Sequence, residues 1–169
     1  PATNSSRTTS RPLRKGHALA NGEHLDVLNQ GGATWDRWRL DNPGVAPDLS
    51  NADLRRTPLQ GADLSGANLS GCALAGADLV EAQLAGATLD AADMEGASLL
   101  RADLSEASLR AAKMPEANLR GARLVDADMS EVTLREADLS GADMTGVDLT
   151  DGFLFSASLR ATVLEEATL

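Results

Sequence analysis

The chain has 169 residues, with 25 acidic and 15 basic side chains and a formal net charge of −10 at pH 7. Aromatic residues make up 2% of the sequence, and no apolar run approaches the 18 residues of a membrane-spanning helix. The single cysteine, Cys72, cannot form an internal disulfide, which is typical of a reducing compartment such as the cytoplasm. The composition therefore predicts one cytoplasmic, non-membrane domain with an N-terminal extension.

Residues 1–20 are polar and basic, and the first acidic residue of the chain is Glu23. They lack the apolar stretch of a secretory signal, so we expect a flexible basic tail. A transit peptide and a remnant foreign to the native protein are the alternatives. The basic residues of this segment are Arg7, Arg11, Arg14 and Lys15.

Residues 21–46 are predicted to form a helical cap on the repeats that follow. Asn21 can begin a short helix that ends near Gly31, and a second helical turn precedes Pro43 and Pro47. A cap is needed because the first coil of a solenoid exposes apolar interior and unpaired backbone groups. A ligand platform formed by the two tryptophans is the alternative. The cap residues are Leu25, Leu28, Trp35 and Trp38.

A strict period of five dominates the rest of the chain. From Leu49 to Leu169 every fifth residue is Leu or Met, 25 times in succession, with a small residue two positions earlier. On a helix, leucines five apart would be separated by about 140°, and on a flat strand they would alternate between faces. The pattern therefore predicts a chain that turns a corner in each repeat and directs every leucine into one interior. A charge on that axis, as in Leu104→Arg, is expected to abolish folding.

The consensus Ala-Asp/Asn-Leu-Ser-Gly is intact at residues 62–66, 67–71 and 137–141. It closely resembles the pentapeptide repeat family. The resemblance implies an all-β solenoid, namely a right-handed quadrilateral β-helix with four repeats per coil, about six coils, and residues 20 apart stacked on one wall. The predicted organisation is a tail at 1–20, a short N-terminal helical cap at 21–46 and the β-helix at 47–169.

The side chains that flank each central leucine should point outward, and many are acidic. From residue 48 onward there are 21 acidic against nine basic residues. An acidic rod repels nucleic acid and attracts basic surfaces, so we expect a protein partner and no direct nucleic-acid binding. The alternative is that Asp before each Leu belongs to the repeat and only solvates the wall. The candidate partner surface is Asp126, Asp128, Glu131, Asp143, Asp148 and Asp151.

The family resemblance adds a sharper hypothesis. Some members protect DNA gyrase from quinolones or natural-product inhibitors by mimicking DNA, and this implies a type II topoisomerase as the partner. Three features count against it: basic residues interrupt the negative field, long projecting loops are missing, and so is the C-terminal helical dimerisation element of those members.

Outward apolar residues predict an association surface, because they are rare in this chain. Two of them flank Leu154 on the second wall, and another two are 20 apart on the third. We expect a homodimer through the C-terminal coils, with local packing or a lid over the last coil as the alternative. Since Leu169 is itself a core position, either the native chain continues or a partner covers that coil. The candidates are Phe153, Phe155, Val163, Val80 and Leu100.

Catalysis has little support in the sequence. No Ser-His-Asp arrangement, paired-Cys motif, phosphate-binding glycine loop or metal-ligand cluster is present, and both His17 and His24 precede the repeats. We therefore predict a non-catalytic interaction protein of a bacterial cytoplasm that needs no cofactor. A structural module of a longer multidomain protein is the remaining alternative.

Overall fold

The computed structural model describes residues 20–169, and the expectations for residues 1–19 lie outside this range. Two helices come first: α1 spans Gly22–Asn29 and α2 spans Gly32–Asp41. Asn21 caps α1 through its side-chain oxygen, as the sequence predicts. Neither helix has the length and apolar character to cross a membrane.

From residue 48 onward the chain is a solenoid in which residues 20 apart pair in parallel. The first bridge joins Asp48 to Asn68, and the last joins Asp148 to Thr168. Each contact is an isolated bridge rather than an extended strand. Because 20 residues hold four pentapeptides, each coil has four walls, and residues 47–166 make six complete coils. At about 4.8 Å between neighbouring coils the stack is roughly 30 Å long.

Backbone hydrogen bonds explain why the period is five. Leu49 donates its N–H to the Asn68 carbonyl of the next coil at 2.8 Å, and the Asn68 N–H donates to the Pro47 carbonyl at 2.8 Å. Ala52 donates to the Leu49 carbonyl at 3.0 Å and closes a turn between two walls. Each pentapeptide therefore pairs its polar backbone groups partly with the adjacent coils and partly within its own corner.

The corners have a left-handed backbone throughout. All 24 corner residues, at every fifth position from Asn51 to Glu166, have φ between 53° and 72°. Nine of them are glycine, in agreement with the predicted corners, and fifteen carry a side chain. A left-handed residue with a side chain costs about 1–2 kcal/mol, so the stacked walls must impose this conformation on the corners.

The interior is filled by the Leu and Met series. Each member from Leu49 to Leu149 is buried, and the small residue two positions before it is also buried, except for the half-buried Thr57. The expectation that the whole series is buried is wrong for the last four members, because no described coil lies over them. They surround a cavity of about 250 Å³ and are Leu154, Leu159, Leu164 and Leu169.

Candidate interaction surfaces

The four walls of the solenoid provide its outward surfaces. Wall 1 contains Leu49 and every twentieth residue after it, and walls 2, 3 and 4 begin in the same way with Leu54, Leu59 and Leu64. The residues immediately before and after each central residue point outward, and a corner residue follows. Walls 1 and 3 are on opposite sides of the rod.

Acidic residues concentrate on wall 1 and on the two corners that border it. Asp128 and Asp148 form a parallel backbone bridge between adjacent coils of this wall, and both are half-buried. The carboxylates at the bordering corners are exposed. From residue 106 onward, Arg110 is the one basic residue on this surface. We call this surface the acidic face, and it consists of Glu106, Asp126, Asp128, Glu131, Asp148, Asp151 and Glu166.

The acidic face contains five of the six carboxylates that the sequence suggested. The sixth, Asp143, lies on wall 4, where its backbone forms a parallel bridge with Arg123 of the preceding coil. Glu106 and Glu166 also belong to the acidic face, although their sequence context did not distinguish them. A comparison of residues at multiples of 20 would have found both, because they share one corner with Asp126.

The two aspartates of wall 1 have a structural role as well as a charge. Asp128 Oδ1 accepts hydrogen bonds from the Ser130 N–H at 3.0 Å and the Ser130 hydroxyl at 2.7 Å. Asp148 Oδ1 accepts from the Thr150 N–H at 2.8 Å and the Thr150 hydroxyl at 2.6 Å. The bonds from Thr150 hold the pKa of Asp148 below its usual range, so this carboxylate is charged at neutral pH. The same local bond recurs at Asp103 and is a feature of the repeat.

The corner carboxylates differ between the acidic face and the rest of the rod. Outside the acidic face, three corner glutamates are all paired with arginine. Their distances are 3.7 Å for Glu81–Arg101, 3.7 Å for Glu116–Arg135 and 3.1 Å for Glu136–Arg135. On the acidic face, the side-chain carboxylates of the corner residues have no hydrogen bond or ion pair within residues 20–169. These five exposed and unpaired carboxylates are Glu106, Asp126, Glu131, Asp151 and Glu166.

Arginines are accordingly concentrated away from the acidic face. On the opposite side, Arg120 lies 3.8 Å from Asp138 and Arg101 pairs with Glu81. On the acidic face itself, Arg110 reaches Asp128 at 3.8 Å, and their side chains are 60% and 41% exposed. Exposed pairs of this kind contribute little to stability. The basic residues that were expected to interrupt the negative field therefore lie mostly on the other sides of the rod, and the acidic face keeps a strong negative charge.

The candidate apolar residues do not form one patch. Phe153 and Phe155 are 53% and 64% exposed on wall 2, and their ring centroids are 6.3 Å apart. Val163 is exposed on wall 4, on the other side of the rod. Val80 and Leu100 are half-buried on wall 3 and are therefore not fully projecting side chains. Among these five candidates, only the two phenylalanines of wall 2 are both exposed and adjacent to each other.

The helical cap supplies hydrogen bonds that a preceding coil would otherwise provide. The Asp48 N–H, which has no earlier coil to pair with, donates to His24 Nδ1 at 3.0 Å. The carbonyl of Asp63 accepts from Trp35 Nε1 at 2.8 Å, and the carbonyl of Ser65 accepts from Arg39 Nη2 at 2.9 Å. Side chains of the cap therefore complete the backbone pairing of the first coil.

The predicted cap residues pack as expected against the first coil. Leu28 and Trp35 are buried, and Leu25 and Trp38 are half-buried against the core. The burial of Trp35 excludes a platform on which both tryptophans would be open to a ligand. Pro58 lies on the wall 3 edge of the first coil and has no N–H to be paired there, which protects an open edge.

No described site has the features of a catalytic or metal centre. Within residues 20–169, no three His, Cys, Asp or Glu side chains are grouped closely enough to hold a metal ion. Burial raises the pKa of the Cys72 thiol to about 11, and its Sγ donates to the Leu49 carbonyl at 2.9 Å. A cavity of about 450 Å³ beside α2 is lined by Arg39 and Asp63, which already pair with each other at 3.2 Å.

A family model described as pentapeptide repeats matches the chain in eight copies, over residues 48–84, 82–121 and 112–151. The chain belongs to the pentapeptide repeat family. Membership implies a right-handed β-helix, which agrees with the parallel pairing of residues 20 apart. Pentapeptide repeat proteins are generally structural or interaction modules rather than enzymes.

Several solved structures are similar to this chain, and the first two below are pentapeptide repeat proteins. One from the cyanobacterium Cyanothece 51142 is 32% identical, with a TM-score of 0.49, over 59% of this chain and 65% of that protein. Another, from the thylakoid lumen of Arabidopsis thaliana, is 36% identical, with a TM-score of 0.31, over 58% of this chain and 65% of that protein. QnrB1, a plasmid-mediated fluoroquinolone resistance protein, is 22% identical to this chain, with a TM-score of 0.28. The match covers 66% of this chain and 77% of QnrB1. Among curated protein sequences, none matches the chain significantly.

Proposed function

We propose that this chain is a non-catalytic, cytoplasmic interaction module whose acidic face binds a basic surface of a protein partner. The supporting observation is the contrast between corner carboxylates. Five on the acidic face are exposed and unpaired, whereas elsewhere Glu81 pairs with Arg101, and Glu116 and Glu136 share Arg135.

This contrast distinguishes the charged residues that the repeat uses structurally from those that it does not require. Asp before each central residue has a local structural bond, so its charge alone says little about a partner. Corner residues need only a left-handed backbone, which glycine provides in nine of the 24 corners. Five charged residues placed together without counterions serve no evident packing purpose. An unpaired carboxylate surface attracts basic proteins and accelerates their association.

Matched charge variants test the proposal. The first variant combines Asp126→Asn, Glu131→Gln and Asp151→Asn on the acidic face. The control combines Glu81→Gln, Glu116→Gln and Glu136→Gln, which removes the same net charge from the same left-handed corner positions on other sides. A poly-L-lysine surface is a suitable basic probe, with NaCl varied from about 0.05 to 0.5 M to follow screening.

We expect the acidic-face variant to bind the probe about tenfold more weakly at low salt, from three charges worth up to about 1 kcal/mol each. The control should bind within about twofold of the parent protein. Equal losses in the two variants would show that only net charge matters, and the acidic face would lose its assigned role.

A second candidate function is mimicry of DNA on a type II topoisomerase, with resistance to quinolone-like inhibitors. It is supported by the run of unpaired carboxylates along one side of the rod between residues 106 and 166. The test is gyrase supercoiling and drug-induced cleavage in the presence of the parent protein and the acidic-face variant. An effect of the parent that the variant lacks would support mimicry, and no effect of either would remove this candidate.

A further inference from the structure

Wall 2 has exposed aromatic rings near one end of the rod. Counting coils from the first, residues 47–66, Phe153 and Phe155 belong to the sixth coil. Their rings are stacked with an interplanar angle of 20°, and the two residues are 53% and 64% exposed. Adjacent apolar side chains that remain in water on a soluble protein commonly mark a site of association.

An open recess lies on the same wall, in the second coil. The two positions that carry the phenylalanines in the sixth coil carry the half-buried Ala73 and Ala75 in the second. A cavity of about 420 Å³ opens beside Ala75 and is bordered by Arg55 and Arg56. A second depression, of about 280 Å³, continues from Ala75 past Gly76. The recess can therefore receive an aromatic ring, and guanidinium groups are favourable neighbours for the face of such a ring.

The coils between the rings and the recess carry charges in a self-complementary order. The third coil has Asp93 and Glu95, and the fifth coil has Arg135 at the position of Glu95. With Lys113 in the fourth coil, the outward residues of wall 2 in coils 2 to 6 include two acidic and two basic side chains. This stretch is neutral in a chain of net charge −10, so a second copy meets less repulsion here than on the acidic face.

We propose that wall 2 binds a second copy of this chain, with the two rods antiparallel. A two-fold axis that runs across the wall at the fourth coil places the sixth coil of each copy opposite the second coil of the other, and the fifth opposite the third. The two phenylalanines of one copy then enter the recess at Ala73 and Ala75 of the other. Glu95 of each copy faces Arg135 of the other. Every contact occurs twice, as a closed two-fold dimer requires.

Charge selects the antiparallel over the parallel arrangement. In a parallel pair, each coil would face the same coil of the other copy, and Glu95 would oppose Asp93, which is a repulsive contact. In the antiparallel pair, two like-charged positions lie near the axis, Lys113 and Glu116, and each has an opposite charge close by. Lys113 forms a backbone bridge with Asp93 of its own chain, and Glu116 pairs with Arg135 of its own chain at 3.7 Å.

The corners beside wall 2 also fit the antiparallel arrangement. The acidic corner residues of coils 5 and 6 lie opposite glycine or alanine in coils 2 and 3 of the other copy, so no carboxylate meets another there. The contact is small, because coils 2 to 6 of this wall cover about 24 Å by 10 Å. A standard interface buries about 800 Å² on each partner, so we expect a weak dimer that forms at high protein concentration. The opposed corner pairs are Glu131 with Ala91, Asp151 with Gly71, and Glu136 with Gly96.

Mixing two charge variants of the full chain tests the antiparallel contact. Glu95→Arg alone places arginine opposite arginine, and Arg135→Glu alone places glutamate opposite glutamate. A one-to-one mixture of the variants restores both opposite-charge pairs in a heterodimer. Sedimentation velocity follows association from about 10 µM to 1 mM protein in about 0.15 M NaCl, where the screening length is about 8 Å. We expect each variant to associate about tenfold more weakly than the parent, and the mixture to return to within about threefold.

Filling the recess without changing the charge gives the second arm of the experiment. Ala75→Gln should weaken association about tenfold, because the added side chain occupies the space that a phenylalanine needs. Ala85→Gln is the matched control: it changes the equivalent half-buried position of the same coil on wall 4 and should leave association within about twofold of the parent. Both side chains point outward, so neither substitution disturbs the leucine interior.

Three outcomes would overturn the proposal. They are a parent that stays monomeric at about 1 mM, a mixture of charge variants that associates no better than its components, and equal effects of the two glutamine variants. A dimer that Ala75→Gln leaves intact would be held through the C-terminal coils without the recess. None of these outcomes affects the proposed function, because wall 1 lies outside the contact and its binding is measured separately with the poly-L-lysine probe.

Discussion

Leucine-to-alanine substitutions at two positions of the same series test the physical basis of the fold. Leu104 is fully buried on wall 4 in the middle of the rod, whereas Leu159 is 39% exposed in the last described coil. Removing three carbons from Leu104 costs about 2.4 kcal/mol at about 0.8 kcal/mol each. The enclosed cavity left behind adds to this, for a total of about 3–5 kcal/mol.

The same substitution at Leu159 should cost much less. About three fifths of its side chain is buried, which corresponds to roughly 1.5 kcal/mol, and the space it leaves opens into an existing cavity. The two variants should therefore differ by about 2 kcal/mol in their free energies of unfolding. Leu104→Arg, which places a charge on the same axis, should abolish cooperative folding.

The assay combines urea unfolding, followed by far-UV circular dichroism, with amide hydrogen exchange. Exchange is needed because coils interact mainly with their neighbours, so unfolding can depart from two-state behaviour. Protection should fall first in the coils that contact residue 104. If the two alanine variants lost equal stability, or if Leu104→Arg melted like the parent, the inward assignment of the leucine series would be wrong.

Three further predictions follow from the cap, wall 1 and the wall 2 phenylalanines. Trp35→Phe should lower the free energy of unfolding by about 1–3 kcal/mol, because the Asp63 carbonyl loses its indole donor; urea unfolding measures this. Thr150→Val should raise the pKa of Asp148, because the two hydrogen bonds that lower this pKa both come from Thr150 and the substitution removes the one from the hydroxyl; NMR titration measures this. Changing both wall 2 phenylalanines to Ser should convert an oligomer into a monomer, as measured by light scattering.

Each of these predictions has a control and a contrary outcome. Trp38→Phe keeps the Trp35 and Arg39 side chains that donate to the carbonyls of the first coil, and a cost equal to that of Trp35→Phe would contradict the capping role. Thr145→Val should raise the pKa of Asp143 and leave Asp148 unchanged. A parent protein that is already monomeric, or a serine variant of unchanged mass, would remove the homodimer.

The direction of the pH effect follows from the depressed pKa of Asp148. A carboxylate whose pKa is lower in the folded than in the unfolded state stabilises the fold above its unfolded pKa, near 4. That contribution is lost as the pH falls through the folded pKa. Thr150→Val should therefore move the acid-induced loss to a higher pH and leave a smaller contribution at neutral pH.

The repeat made most of the architecture predictable from sequence. Leu or Met at every fifth position is incompatible with a helix or a flat strand, so the corner and the common interior could be derived. The stacking of residues 20 apart was expected from the resemblance to the pentapeptide repeat family and is present in the structure. The cap helices were also predictable, since Asn21 and the apolar residues after it follow ordinary capping chemistry. These features depend on local geometry and on burial, which a linear pattern encodes directly.

Other features depended on which residues meet across coils. The sequence could not show that His24 Nδ1 replaces the carbonyl of a missing coil, because that role requires the docked position of α1. Nor could it show that the carboxylate of Glu131 is unpaired while that of Glu116 pairs with Arg135, since both occupy the same corner position in the repeat.

For this protein, then, the spacing of leucines by itself determined a common interior and a corner in every repeat, because neither a helix nor a flat strand directs every fifth residue to one side. The distribution of charge around the rod was decided only in three dimensions. Winding the chain 20 residues per coil places Asp126 and Glu166 on one side and Asp143 beside Arg123 on another, and no local feature of the repeat records that difference.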